Sequence, residues 1–141
     1  MPTIDSKLCD AVGRDNAASV LALLQSDPRC MHYEDEYGWN ALHIASALNR
    51  IDICKLLVSR GADVSIMDGK QETALDLAIT RGHAEICRIL LDNGAIATTS
   101  ALVRASKNGD IAICELMLDK GVDINTLHRG VTTALHGACE F

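Results

Sequence analysis

The chain has 141 residues, 48% of them apolar, and a formal charge of −6. That length holds one domain with a sizeable core. The scattered acidic balance offers no cationic footprint for nucleic acid, and no stretch reaches the ~18 apolar residues that insert across a bilayer. Only four residues are aromatic, so Leu, Ile, Val and Ala must fill the core.

The first segment, Met1-Pro2-Thr3-Ile4-Asp5, has neither a basic n-region nor an apolar h-region. A cytoplasmic or nuclear location is therefore expected, and the six cysteines read as reduced thiols rather than a disulfide scaffold.

The predicted elements come in pairs of short helices. The first pair is degenerate: Leu8-Cys9-Asp10-Ala11, a turn at Gly13-Arg14-Asp15, then Val20-Leu21-Ala22-Leu23-Leu24, ended by Asp27-Pro28. The second pair is Asn40-Ala41-Leu42-His43-Ile44-Ala45, a turn at Asn49-Arg50, then Ile53-Cys54-Lys55-Leu56-Leu57 and Gly61. The third is Thr73-Ala74-Leu75-Asp76-Leu77-Ala78, a turn at Gly82-His83, then Ile86-Cys87-Arg88-Ile89-Leu90-Leu91 and Gly94. The fourth is Ala101-Leu102-Val103-Arg104-Ala105, a turn at Asn108-Gly109, then Ile113-Cys114-Glu115-Leu116-Met117-Leu118 and Gly121. A fifth begins Thr133-Ala134-Leu135-His136-Gly137-Ala138.

Leu8, Leu42, Leu75, Leu102 and Leu135 keep this beat at spacings of 34, 33, 27 and 33 residues. A fixed period of this size marks stacked helical units. Asn40, Thr73 and Thr133 are placed to cap the first helix of their units, worth about 1 kcal/mol each. Apolar residues at i, i+3 and i+4, such as Ile53, Leu56 and Leu57, give each second helix a buried face. Gly61, Gly94 and Gly121 fit left-handed C-terminal caps.

Asn40-Ala41-Leu42-His43, Thr133-Ala134-Leu135-His136 and Thr73-Ala74-Leu75-Asp76, with the terminal Gly and the 33-residue period, resemble the ankyrin repeat family over about residues 6–141. No unit has the family's Pro, and Asp76 replaces its His. The resemblance implies an all-α solenoid of stacked helix–turn–helix units with β-hairpin fingers. It places one domain over 1–141, in units of about 5–36, 37–69, 70–98, 99–129 and a partial 130–141. The step from the third to the fourth unit is six residues short, so the finger there is expected to be absent or a plain turn.

The resemblance also implies protein binding on the concave side. Carried onto this chain, the binding positions are Glu36, Tyr37 and Trp39 on the first full finger, Lys70 and Glu72 on the second, and Arg129 on the last. Leu48, Arg81, Lys107 and Asn108 are added by the first helices. Gly69 on the second finger, Thr132 on the last, and Ala47 and Thr80 on the first helices are carried over as binding positions in the same way. Tyr33, Tyr37 and Trp39 lie among Glu34, Asp35 and Glu36, an aromatic finger edged with acid that suits a basic or amphipathic segment. Trp39 is either such an anchor or a packing residue against the adjacent first helix. Met67 and Leu127 are exposed apolar candidates, and Lys70, Arg81, Lys107 and Arg129 form either a basic strip or separate solvated charges.

Catalytic and metal chemistry are not expected. Cys54, Cys87 and Cys114 share one position in successive units and read as small buried hydrophobes. Stacked helices lie about 8–10 Å apart, too far for disulfides. No Cys-x-x-Cys pair exists, and His136-x-x-Cys139 lacks a second pair of ligands. His43 and His136 read as structural. No P-loop or nucleophile elbow appears, and no cofactor is expected. The expected function is a non-enzymatic scaffold, adaptor or inhibitor that binds another protein. The alternative is a targeting fragment of a larger protein such as an enzyme or channel, because the fifth unit is partial. An open C-terminal end around Leu116, Met117 and Leu118 also suggests weak self-association.

Overall fold

The structure, a computed structural model, describes residues 4–122. These form the helices α1 (Ile4–Gly13), α2 (Ala17–Ser26), α3 (Ala41–Ala47), α4 (Ile51–Ser59), α5 (Ala74–Arg81), α6 (Ala84–Asp92), α7 (Thr99–Lys107) and α8 (Ile111–Asp119), with a 3-10 turn at Pro28–His32. Leu127, Arg129, Thr132, Thr133, Leu135, His136 and Cys139, and with them the last finger and the partial fifth unit, lie outside the described residues.

Each odd-numbered helix packs on the even-numbered helix that follows it. The odd-numbered helices also contact one another in sequence, as do the even-numbered ones, so the pairs stack in two rows. The periodic leucines Leu8, Leu42, Leu75 and Leu102 are all at most 3% exposed, as are Ile53, Leu57, Ile86, Leu90 and Ile113. Each such side chain stabilises the fold by about 1.5–3 kcal/mol relative to leaving it in water. Cys54, Cys87 and Cys114 lie in the same core, and burial pushes the Cys54 and Cys87 thiols up to about 12.

The helix starts follow the sequence. Asn40 Oδ1 accepts the His43 amide at 3.1 Å, and the Asn40 amide donates back to His43 Nδ1 at 3.2 Å. In α5 the same reciprocal pair forms between Thr73 and Asp76, at 3.3 and 3.0 Å. Asp76 therefore replaces the family's His without loss of the capping box, since either side chain accepts the N-cap amide. Thr98 caps α7 through the Ala101 amide at 3.1 Å.

The helix ends obey one rule. Gly61, Gly94 and Gly121 have φ of 88°, 96° and 91°. The next residue's amide reaches back to the helix, from Ala62 to Leu57, Ala95 to Leu90 and Val122 to Met117. This is the Schellman closure, which satisfies carbonyls that the helix leaves open.

Consecutive pairs are also tied at their turns. Arg50 Nη2 donates to the Gly13 carbonyl at 2.8 Å, and His83 Nδ1 donates to the Ser46 carbonyl at 2.9 Å. Asp110 falls at the next equivalent position and has no proton to give, so Asn108 Nδ2 makes the link to the Ile79 carbonyl, at a longer 3.4 Å.

The all-α part of the expectation holds, while the β-hairpin character of the fingers is not shown: no β-strand is assigned among the described residues. Each finger is a tight loop clamped by one aspartate. Asp35 Oδ1 accepts the Tyr37 and Trp39 amides at 2.9 Å each, and the Asp35 amide donates to the Trp39 carbonyl at 2.9 Å. Thirty-three positions on, Asp68 Oδ1 accepts the Lys70 and Glu72 amides at 2.8 and 2.9 Å, and the Asp68 amide donates to the Glu72 carbonyl at 2.9 Å. A second backbone bond runs from the Gly38 amide to the Asp35 carbonyl and from the Gln71 amide to the Asp68 carbonyl, at 3.0 and 2.9 Å, so two backbone bonds and a side-chain clamp satisfy each of these loops. Between α6 and α7 the finger is missing, and a plain loop at 93–98 makes the connection.

Candidate functional site

The two fingers are bolted to each other. The Gly69 amide donates to the Tyr37 carbonyl at 2.8 Å, and Trp39 Nε1 donates to Asp68 Oδ2 at 2.9 Å. Gly38 has φ 79°, and a Cβ there would lie 2.8 Å from the Gly69 nitrogen, so only glycine permits this approach. His43, 1% exposed, reaches the second finger from α3: with Nδ1 accepting the Asn40 amide, Nε2 donates to the Glu72 carbonyl at 3.3 Å.

The charges follow from these bonds. Burial pushes the Asp68 carboxyl up, but the Glu72 and Lys70 amides and the Trp39 indole together outweigh it and hold Asp68 below the usual carboxylate value. Burial dominates at His43 and lowers it below the ordinary imidazole value, partly offset by the bond to the Glu72 carbonyl. His43 is thus a neutral strut, as its place in the helix motif suggests.

Between the fingers and the odd-numbered helices runs an open groove of about 820 Å³. The first finger contributes Asp35, Glu36, Tyr37 and Trp39, and the second contributes Asp68, Gly69, Lys70 and Glu72. Ile44 of α3 and Leu77, Thr80 and Arg81 of α5 complete it. Eight of the residues singled out from sequence therefore come together: Glu36, Tyr37, Trp39, Gly69, Lys70, Glu72, Thr80 and Arg81.

The others fall elsewhere. Leu48 is 42% exposed at the end of α3 but does not line the groove. Lys107 is exposed at the end of α7, and Asn108 is engaged with the Ile79 carbonyl. Ala47 is buried at 3% and Met67 is 58% exposed. Tyr33 is half-buried outside the groove, and Met117 is buried while Leu116 and Leu118 are half-buried.

Three features were missed from sequence. Asp35 read as acid edging and Asp68 was not singled out, whereas the oxygens of both hold the loops; their 33-residue spacing was the available signal. Ile44 and Leu77 contribute apolar groove surface. Arg104 Nη1 lies 3.5 Å from Glu72 Oε1 and 3.8 Å from Asp76 Oδ1, and donates to Thr80 Oγ1 at 3.3 Å, tying α7 to the second finger.

No cluster of three or more His, Cys, Asp or Glu side chains suited to a metal occurs among the described residues, and no described helix is long and apolar enough to cross a membrane.

Paired helices in two rows, joined by clamped loops over a shared groove, define a helical repeat protein. The family model for ankyrin repeats, in three copies, matches residues 8–100, and the chain belongs to the ankyrin repeat family. Similar proteins include a transient receptor potential cation channel subfamily A member 1 homolog of Caenorhabditis elegans, 32% identical over 92% of this chain and 11% of its own length. The potassium channel AKT2/3 of Arabidopsis thaliana is 31% identical over 93% of this chain and 17% of its own length. A probable E3 ubiquitin-protein ligase, XBOS33, of Oryza sativa is 29% identical over 93% of this chain and 27% of its own length. The chain thus spans about a quarter or less of these relatives. Ankyrin repeats are protein-interaction modules and their fold is generally non-enzymatic, although such repeats also sit within proteins named as enzymes.

Proposed function

We propose that the chain is a non-enzymatic interaction module, a scaffold, adaptor or inhibitor, that holds a partner protein on its concave side through the groove between the first two fingers. The observation that carries this reading is the convergence of Glu36, Tyr37, Trp39, Lys70, Glu72 and Arg81 on one preformed groove. Tyr37 is 67% exposed there, a large side chain ready to anchor a partner. Because the fingers are bolted together before any partner arrives, little ordering cost falls on binding.

Affinity capture from lysate, followed by titration of the captured protein, tests this. The baits are wild type, Tyr37→Ala and an outer-face control, Arg88→Ala. A partner that loses more than about 1 kcal/mol with Tyr37→Ala and nothing with Arg88→Ala supports the groove. Equal affinity for all three baits contradicts it.

A second reading is supported by the relatives: the module is the targeting segment of a larger protein, as its matches are small parts of channels and a ligase. Immunodetection of the natural protein in its source cells separates the two. A species well above 15.1 kDa supports the second reading, and one at 15.1 kDa contradicts it.

A further inference from the structure

We infer that the groove takes an acidic segment carrying apolar anchors, the opposite sign from that implied by the acid-rich first finger; this rests on the groove being the partner site. The reason lies in which charges are available for contact. Asp35 Oδ1 is engaged by two backbone amides. Asp68 is 7% exposed and both its oxygens accept bonds. Glu72 faces Arg104 at 3.5 Å. Glu36 alone among the groove acids is exposed with no ion pair or side-chain bond among the described residues.

The cations stand differently. Lys70 and Arg81 are exposed, and neither side chain has an ion-pair partner among the described residues. Asp35, Asp68 and Glu72 keep their charge, but backbone amides, the Trp39 indole and Arg104 already occupy oxygens of theirs, whereas Lys70 and Arg81 keep their donors for direct, charge-assisted bonds to an occupant. Carboxylates on the occupant pair with the Lys70 ammonium or with the guanidinium fork of Arg81, which suits paired hydrogen bonds. Trp39, Ile44 and Leu77, with Tyr37 beside them, give its apolar side chains a surface to cover. Glu36 on the first finger disfavours a second carboxylate there, so the segment's acid lies toward α5.

The test pans a random peptide library displayed on phage against the full chain, its Lys70→Glu/Arg81→Glu variant and its Tyr37→Ala variant. All three substitutions are on exposed side chains, and circular dichroism checks that each variant is folded. The expected result is enrichment of peptides that place Asp or Glu near Leu, Phe or Trp. Their affinity falls at least about fivefold on the double charge reversal, from the loss of two rim ion pairs, and also weakens as salt rises. Basic or uncharged peptides that still depend on Tyr37 overturn this inference and leave the groove reading standing. Peptides indifferent to every variant overturn both. Failure to enrich any peptide overturns the acidic-segment inference, while the capture experiment still decides the groove.

Discussion

Trp39 and Asp68 are joined across two fingers, the indole Nε1 donating to the carboxylate Oδ2 at 2.9 Å. The same carboxylate holds the Lys70 and Glu72 amides, so one buried side chain both shapes the second finger and fastens it to the first. Trp39→Ala therefore removes a support as well as a surface, which is why Tyr37 is the cleaner probe of binding.

Asp68→Ala leaves three donors without their acceptor. Chemical denaturation is expected to show a loss of about 1–3 kcal/mol. The pH dependence has a definite sign. The folded carboxyl is held below its ordinary value of 3.8, so its stabilising effect is complete above about pH 4 and is lost as pH falls through the folded value. Asp68→Asn should therefore be less stable than wild type at neutral pH yet lose less stability below pH 4. Equal acid sensitivity of the two chains contradicts this.

His43 has its folded value lowered from 6.5, chiefly by burial. Its contribution is present above about pH 6.5 and declines as pH falls toward the folded value, because the unfolded chain then binds the extra proton. A His43→Gln variant is expected to have a flatter stability profile between pH 7 and 5 by thermal denaturation.

Gly38 and Gln71 occupy the same left-handed position of the two fingers, with φ of 79° and 62°. Gly38→Ala drives a Cβ into the Gly69 backbone and is expected to cost about 2 kcal/mol or more. Gln71→Gly removes the strain of a side chain in that region and is expected to gain about 0.5–1 kcal/mol. Urea titrations of the two variants check opposite signs at equivalent positions.

The turn links predict a gradient. Arg50→Ala removes the 2.8 Å bond to the Gly13 carbonyl and leaves it without that partner, at a cost of about 1–3 kcal/mol. Asn108→Ala removes a 3.4 Å contact and should stay within about 0.5 kcal/mol. Equal losses in calorimetry contradict the argument from Asp110.

The helices were legible because their signals are local. Asn40 and Thr73 cap, Gly61 and Gly94 close, and Leu42 and Leu75 point inward through spacing alone. The fingers were not, because Asp35 and Asp68 act through backbone amides whose arrangement is not written in composition; read as a charge, Asp35 implied an acidic edge. Arg104 was also hidden. Its partners Glu72 and Asp76 become neighbours only when α7 packs on α5. Eight groove residues were found because the resemblance supplied positions along the repeat. Leu48 lies outside the groove because such positions do not specify which side chains converge.

We propose the groove between the first two fingers as the partner surface. Hydrogen–deuterium exchange of the chain alone and with its captured partner tests it most directly. Protection concentrated at 35–39, 68–72 and 77–81 is the predicted result. Protection confined to the even-numbered helices, 51–59 and 84–92, with the fingers unchanged, would contradict it.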